Sequence, residues 1–180
     1  MINLSREFIF TSAAVVCAAL ASLHDVRERR IPNLLTGPSI VIALVFHLGM
    51  GGWKEMATSA FAGVLAGGLL LIFFLAGGLG AGDVKLMAAI GCFTGLHMLP
   101  VVLFTTACCG ALLGLVLAIK HRRLREIVQN TVTLVRHHRE QGLVPHAELN
   151  IDNAAALRMP FAIPITAGCL IAAGVQIWRA

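Results

Sequence analysis

Two aspartates stand where acidic side chains are costly. Asp25 closes an apolar stretch in Leu23-His24-Asp25-Val26-Arg27, and Asp83 opens another in Gly80-Ala81-Gly82-Asp83-Val84-Lys85. Ionisable groups inside or at the rim of apolar spans lose hydration, so they mark a function or a partner. Two converging carboxyls can hydrolyse a peptide without a metal: the ionised one takes a proton from water while the protonated one donates to the carbonyl oxygen. Like charges close together do not ionise independently, and desolvation at a membrane rim adds to this, so the pair is expected to share one proton. The residue types leave open which aspartate carries it.

The neighbours have narrower readings. Gly77, Gly78, Gly80 and Gly82 make an open, mobile loop against which a substrate chain can lie, although a plain turn between helices favours glycine as well. Lys85, two residues after Asp83, either biases its ionisation, holds a substrate carbonyl, or anchors the inner membrane face. Arg27, Arg29 and Arg30 read as topological anchors, and Pro32 and Asn33 as the entry to the next helix. His24 reads as a rim histidine wetted by headgroups, and His137 and His138 as solvated. Cys17, Cys92, Cys108, Cys109 and Cys169 all lie in apolar stretches with no CxxC pair, and read as small buried packing residues. Without closely spaced ligands no metal site is expected, and no cofactor.

The elements that must position these residues are membrane spans. Of 180 residues, 58% are hydrophobic and 13% charged, with mean hydropathy +0.85, against about 25% charged in soluble domains. Whole stretches are apolar around every helical face, which points to lipid as their solvent. A hydrocarbon core about 30 Å thick needs roughly 20 helical residues. Six stretches qualify, at about 8–24, 34–50, 57–78, 84–98, 100–119 and 159–178. The fourth and fifth are separated by a turn at His97 to Pro100, with Pro100 in the first turn of the helix that follows. The fold class predicted is all-α: a single membrane-embedded domain over residues 1–180, with about six transmembrane helices.

Charge sets the orientation, because loops rich in Lys and Arg stay inside. Placing 25–33, 79–85 and 120–158 inside puts eleven basic residues there and leaves only Arg6, Lys54 and Arg179 outside. Both termini are then outside, and Asp25 and Asp83 share the cytoplasmic side at similar depth. A cleaved signal peptide is disfavoured for the first stretch, because its positive charge follows the apolar run instead of preceding it. Between the fifth and sixth spans lies an inner-face loop or interfacial helix: Leu124, Ile127, Val128, Val132 and Val135 fall at helical spacing beneath a basic face. This suits either a helix in the lipid interface or a linker packed on the protein's own inner face. Val144-Pro145 is expected to end it, with irregular chain to Asp152. The net charge of +5 has this topological use, and no aromatic-basic platform suggests nucleic acid.

Gly80-x-Gly82-Asp83-Val84-Lys85 resembles the GxGDxK signature of type IV prepilin peptidases, and Asp25-Val26-Arg27-Glu28-Arg29-Arg30-Ile31-Pro32-Asn33 resembles their first aspartate motif. The resemblance implies cleavage of a short basic leader from a prepilin at the cytoplasmic face of the bacterial inner membrane, with Asp25 and Asp83 as the catalytic pair. It further implies a prepilin substrate and, as further partners, components of a pilus or secretion assembly. The cysteine-paired cytoplasmic region that larger members associate with N-methylation has no counterpart here. The short form, with Pro160-Phe161 near the final span, is more similar to the minimal peptidases of tight-adherence (Tad) pilus systems.

Two other classes compete. A proton-coupled transporter would hold its acids near the bilayer midplane between repeated, broken helices, whereas these acids sit at span ends and no repeat is visible. A non-enzymatic scaffold of a secretion assembly would use Asp25 to pair with Arg29 one helical turn on, if the helix continues that far. That pairing leaves Asp83 unexplained.

Overall fold

Long apolar helices dominate the fold. The structure, a computed structural model, describes residues 2–146, 149 and 159–178. Its elements in chain order are α1 (Ile2–Glu28), α2 (Asn33–Leu75), α3 (Ala81–Lys120), α4 (Leu124–Gln141) and α5 (Ala162–Trp178). Among the described residues, α1 from Arg6, α2 and α3 are long and apolar enough to cross a membrane, and α5 is a shorter apolar helix. Helices suit this role because each satisfies its own backbone hydrogen bonds where lipid offers none.

Two glycines break the long helices. Gly52 in α2 (φ 73°, ψ −169°) and Gly95 in α3 (φ 63°, ψ 179°) take left-handed torsions that a side chain rarely tolerates. The contacts show that the chain reverses at both. Before Gly52, Asn33 meets Lys85 and His47 meets Phe93, so this part of α2 runs parallel to the start of α3. After Gly52, Ser59 donates to the Cys92 carbonyl, and Gly63 and Gly67 face Ala88, so the chain runs the other way. Beyond Gly95, Thr105 and Thr106 meet Gly168 while Gly110 meets Phe161 and Pro164, which sets this part of α3 antiparallel to α5. Ser22 bonds Thr166, while Cys17 lies near Cys169 and Asp25 near Ala162, so α1 is also antiparallel to α5. One end of the bundle therefore gathers the C-terminus of α1, both ends of α2, the start and finish of α3, and the N-terminus of α5. Arg6, Gly52 and Gly95 lie at the other end.

The expected turn at His97 to Pro100 is thus corrected to Gly95. Proline tolerates a helix start, but only the glycine supplies the positive φ that reverses the chain, and Pro100 follows five residues on, in the second turn of the next helical segment.

Small residues let the helices approach closely, as expected where lipid is as apolar as the side chains and packing must hold the bundle. A Cβ on Gly91 would come within 2.7 Å of the Ala62 carbonyl oxygen, and one on Gly63 within 2.9 Å of the Ala88 carbonyl oxygen. Ala14, Ala18 and Ala21 of α1 and Ala62 and Ala66 of α2 are fully buried. Cys17, Cys92 and Cys169 are buried as packing residues, but Cys108 is exposed. The reason is helical phase: Val102, Thr106 and Gly110 form the buried face of this part of α3, and Cys108 lies opposite.

Between α3 and α5 the chain forms the amphipathic α4. It ends at Gly142 (φ 76°), whose N–H reaches the His138 carbonyl, so Gly142 and not Val144-Pro145 terminates it. The irregular stretch expected to reach Asp152 falls largely outside the described residues.

Candidate active site

Asp25 occupies the last turn of α1. Its backbone carbonyl accepts the Arg29 N–H at 2.9 Å, and Arg29 turns left-handed (φ 53°), so the helix stops at Glu28. That break removes the geometry in which Asp25 and Arg29 would pair along a continuous helix. The ion pairs among the described residues are Arg6–Glu55, Arg123–Glu126 and Arg136–Glu140, none of which involves either acid. The backbone N–H of Ala162, in the first turn of α5, is near enough to act on Asp25. Pro160 and Phe161 shape this start, with the Pro160 carbonyl accepting the Ile163 N–H at 3.2 Å. Sequence reasoning missed the contribution of α5, because no local pattern says which helix end comes to face a distant acid.

Asp83 is the third residue of α3. Its Oδ2 accepts the Gly80 N–H at 3.3 Å, while the Gly80 carbonyl accepts the Asp83 N–H at 3.1 Å. This reciprocal pair caps the helix and fixes one carboxyl oxygen. The two half-buried acids, from different helices, lie near enough that the charge of Asp25 acts on Asp83.

The segments around the acids also meet. Gly82 lies in the first turn of α3, not in a free loop, and a Cβ there would stand 3.0 Å from the Ile31 Cβ. Of the four glycines in this stretch only Gly77 uses a left-handed torsion (φ 77°), whereas Gly80 is extended at φ −82°, ψ 150°. The main service of Gly82 is therefore close approach. Lys85 Nζ donates to Asn33 Oδ1 at 2.8 Å, so its ammonium is directed at the start of α2. Asn33 thus joins the two motifs, a role that its place after Pro32 did not reveal. His24 is exposed with Nδ1 3.0 Å from the Leu20 carbonyl oxygen of its own helix, and Arg27, Arg29 and Arg30 are exposed.

At the opposite end is a cavity of about 260 Å³ lined by Arg6, Glu7, His47, Glu55, Thr94 and His97 among others. Arg6 lies nineteen residues before Asp25 on the same helix, hence about 28 Å away at 1.5 Å per residue. The cavity is not part of the site that the acids form.

The profile of the type IV leader peptidase family matches residues 12–115, a segment that holds both acids, Gly80, Gly82, Lys85, Ile31 and Asn33. Among curated proteins, the chain is 34% identical over 113 residues to a prepilin leader peptidase/N-methyltransferase of Aeromonas salmonicida, covering 57% of this chain and 38% of that protein. It is 34% identical over 126 residues to the protein of the same description from Neisseria gonorrhoeae, covering 64% and 42%. The one from Burkholderia pseudomallei strain 1026b is 34% identical over 113 residues, covering 56% and 35%. The matched segment therefore spans less than half the length of these relatives. No solved structure matches the chain. With more than half of its length inside the family profile, the chain belongs to the type IV leader peptidase family.

Proposed function

We propose that the protein is a membrane aspartic endopeptidase that removes the short leader of type IV (Flp/Tad-like) prepilins at the cytoplasmic face, with Asp25 and Asp83 activating water. One observation carries the reading: two acids from separate helices come within electrostatic reach at one end of an apolar bundle. In that arrangement the ionised carboxyl takes a proton from water as its oxygen attacks the scissile carbonyl carbon, and the protonated partner donates to the carbonyl oxygen. Collapse of the tetrahedral diol expels the amine, which takes up a proton from the acid that gained one, while a diol hydroxyl returns its proton to the carboxylate that had donated and the new carboxyl group forms. The pair ends with one shared proton, as it began.

Gly82 and Lys85 support the pair without touching the reacting atoms, and Gly80 donates its N–H to Asp83 Oδ2. Gly82 lets Ile31 press against α3, and Lys85 ties α3 to Asn33, so the two motifs hold each other in register. Counting each reversal as a turn, six segments cross the bilayer. Among the described residues, ten Lys and Arg at the end that holds the acids against Arg6 and Lys54 at the other favour that end as cytoplasmic, with both termini outside. The substrate is then a prepilin whose basic leader stays inside, and the lipid bilayer and pilus or secretion components are the remaining partners. The printed description of the relatives, prepilin leader peptidase, supports the same substrate class.

A structural reading has one observation in its favour: each acid sits at the start of a helix, Asp83 accepting the Gly80 N–H at α3 and Asp25 lying near the Ala162 N–H at α5. The variants Asp25→Asn and Asp83→Asn separate the two, because asparagine keeps the acceptor and removes the acid. Co-expression with a candidate prepilin, with leader removal followed on a gel, is expected to show no cleavage for either variant while both still insert in the membrane. Retained cleavage in either one removes that residue from the mechanism and leaves it a helix cap.

A further inference from the structure

Helix α4 differs from the rest of the molecule. Leu124, Val128, Val132 and Val135 recur at helical spacing and are 43%, 56%, 63% and 64% exposed. The protein's own inner face does not cover them. The edge that α4 turns inward is the neighbouring one, where Ile127, Asn130, Leu134 and His138 are half-buried. Wound at 3.6 residues per turn, Arg125 and Arg136 border the exposed stripe along its other edge, and Arg139 continues the line of the stripe at its C-terminal end. From Lys120 to His146 there are six Lys and Arg against Glu126 and Glu140.

The start of α4 is fixed by the end of a long apolar helix. Arg122 takes a left-handed torsion (φ 54°), and its N–H reaches the Ile119 carbonyl while the Arg123 N–H reaches that of Ala118, both at 3.0 Å. This is a Schellman closure, which ends a helix sharply. The Arg123 guanidinium then grips Glu126 through Nε at 2.7 Å in the first turn of α4. Only three residues separate α3 from α4, so α4 is held at the level where α3 leaves the hydrocarbon.

We propose that α4 lies on the inner leaflet as an anionic-lipid anchor, with Leu124, Val128, Val132 and Val135 in the acyl boundary and Arg125, Arg136 and Arg139 among lipid phosphates. An exposed apolar stripe confined to the interface is covered by acyl chains, and guanidinium groups along its border complement an anionic headgroup layer. Their aliphatic stems lie along the apolar surface while their charges reach the phosphates. The anchor is independent of whether the chain cleaves prepilins.

The test is hydrogen exchange of the full chain in nanodiscs of phosphatidylcholine alone or mixed with phosphatidylglycerol. The α4 amides are expected to exchange at least about fivefold more slowly in the anionic discs, the contribution of roughly one basic residue at such a surface. The double variant Arg125→Glu/Arg139→Glu is expected to abolish that difference, and Val128→Asp/Val132→Asp to speed exchange in both discs. Unchanged exchange in α1 and α3 shows that each variant remains inserted. Equal α4 exchange of the wild type in both lipids overturns the proposal. So does protection that Arg125→Glu/Arg139→Glu leaves intact, which would assign the stripe to another protein surface.

Discussion

The two ends of the bundle both hold acidic side chains and arrange them oppositely. At the end remote from the active-site candidates, Glu55 meets Arg6 at 2.9 Å, and Phe10 stacks on His47 with ring centroids 3.9 Å apart. There the acid has a cation beside it, and the space left over is the cavity of about 260 Å³. At the other end the charge of Asp25 acts on Asp83, which accepts the Gly80 N–H, and neither acid is in an ion pair among the described residues. A guanidinium would quench a carboxyl as a base, whereas a second carboxyl keeps a proton in circulation between the two. The lesson is that candidate reactive groups and a well-formed cavity need not coincide.

The largest expected effect separates the ends outright. Asp25→Asn and Asp83→Asn should each lower leader cleavage by about 10²- to 10⁴-fold, the range for loss of a general acid or base, measured as cleavage rate in reconstituted membranes. The comparison breaks if Arg6→Ala does the same. Next comes a change at the packing between α2 and α3 that serves both ends. Gly91→Leu pushes side-chain atoms into the Ala62 carbonyl and should cost about 1–3 kcal/mol or more of stability, read as a lower midpoint of thermal unfolding in detergent.

A local change at the acids should act without unfolding. Gly82→Val drives a side chain into Ile31, so cleavage should fall by about tenfold with little change in melting, and Ile31→Ala added to it should restore part of the loss. Additive losses in that double variant would mean that the close approach is irrelevant. Lys85→Met and Asn33→Ala should each slow cleavage several-fold, because an exposed hydrogen bond is worth about 0.5–1.5 kcal/mol. Their combination should be no worse than either alone. Smallest of all, Arg6→Ala should shift the melting point slightly and leave the cleavage rate within about twofold, since partly exposed ion pairs contribute about 0–1 kcal/mol.

Residue type and hydropathy single out Asp25 and Asp83, because an acid at the rim of an apolar stretch is expensive in any fold, and they require helices wherever the chain meets lipid. They also select glycine-rich places where the chain is free to turn. They do not choose among the glycines and the proline: the reversal falls at Gly95, not around Pro100, because positive φ is a backbone requirement that only the folded path imposes. Nor does local pattern carry the contacts of Ile31 with Gly82, Asn33 with Lys85, or the start of α5 with Asp25. Each joins residues dozens to more than a hundred positions apart. Local propensity is settled over a few turns of chain, whereas which helix end faces which acid is decided only when small-residue surfaces dock and bring one end of the bundle together.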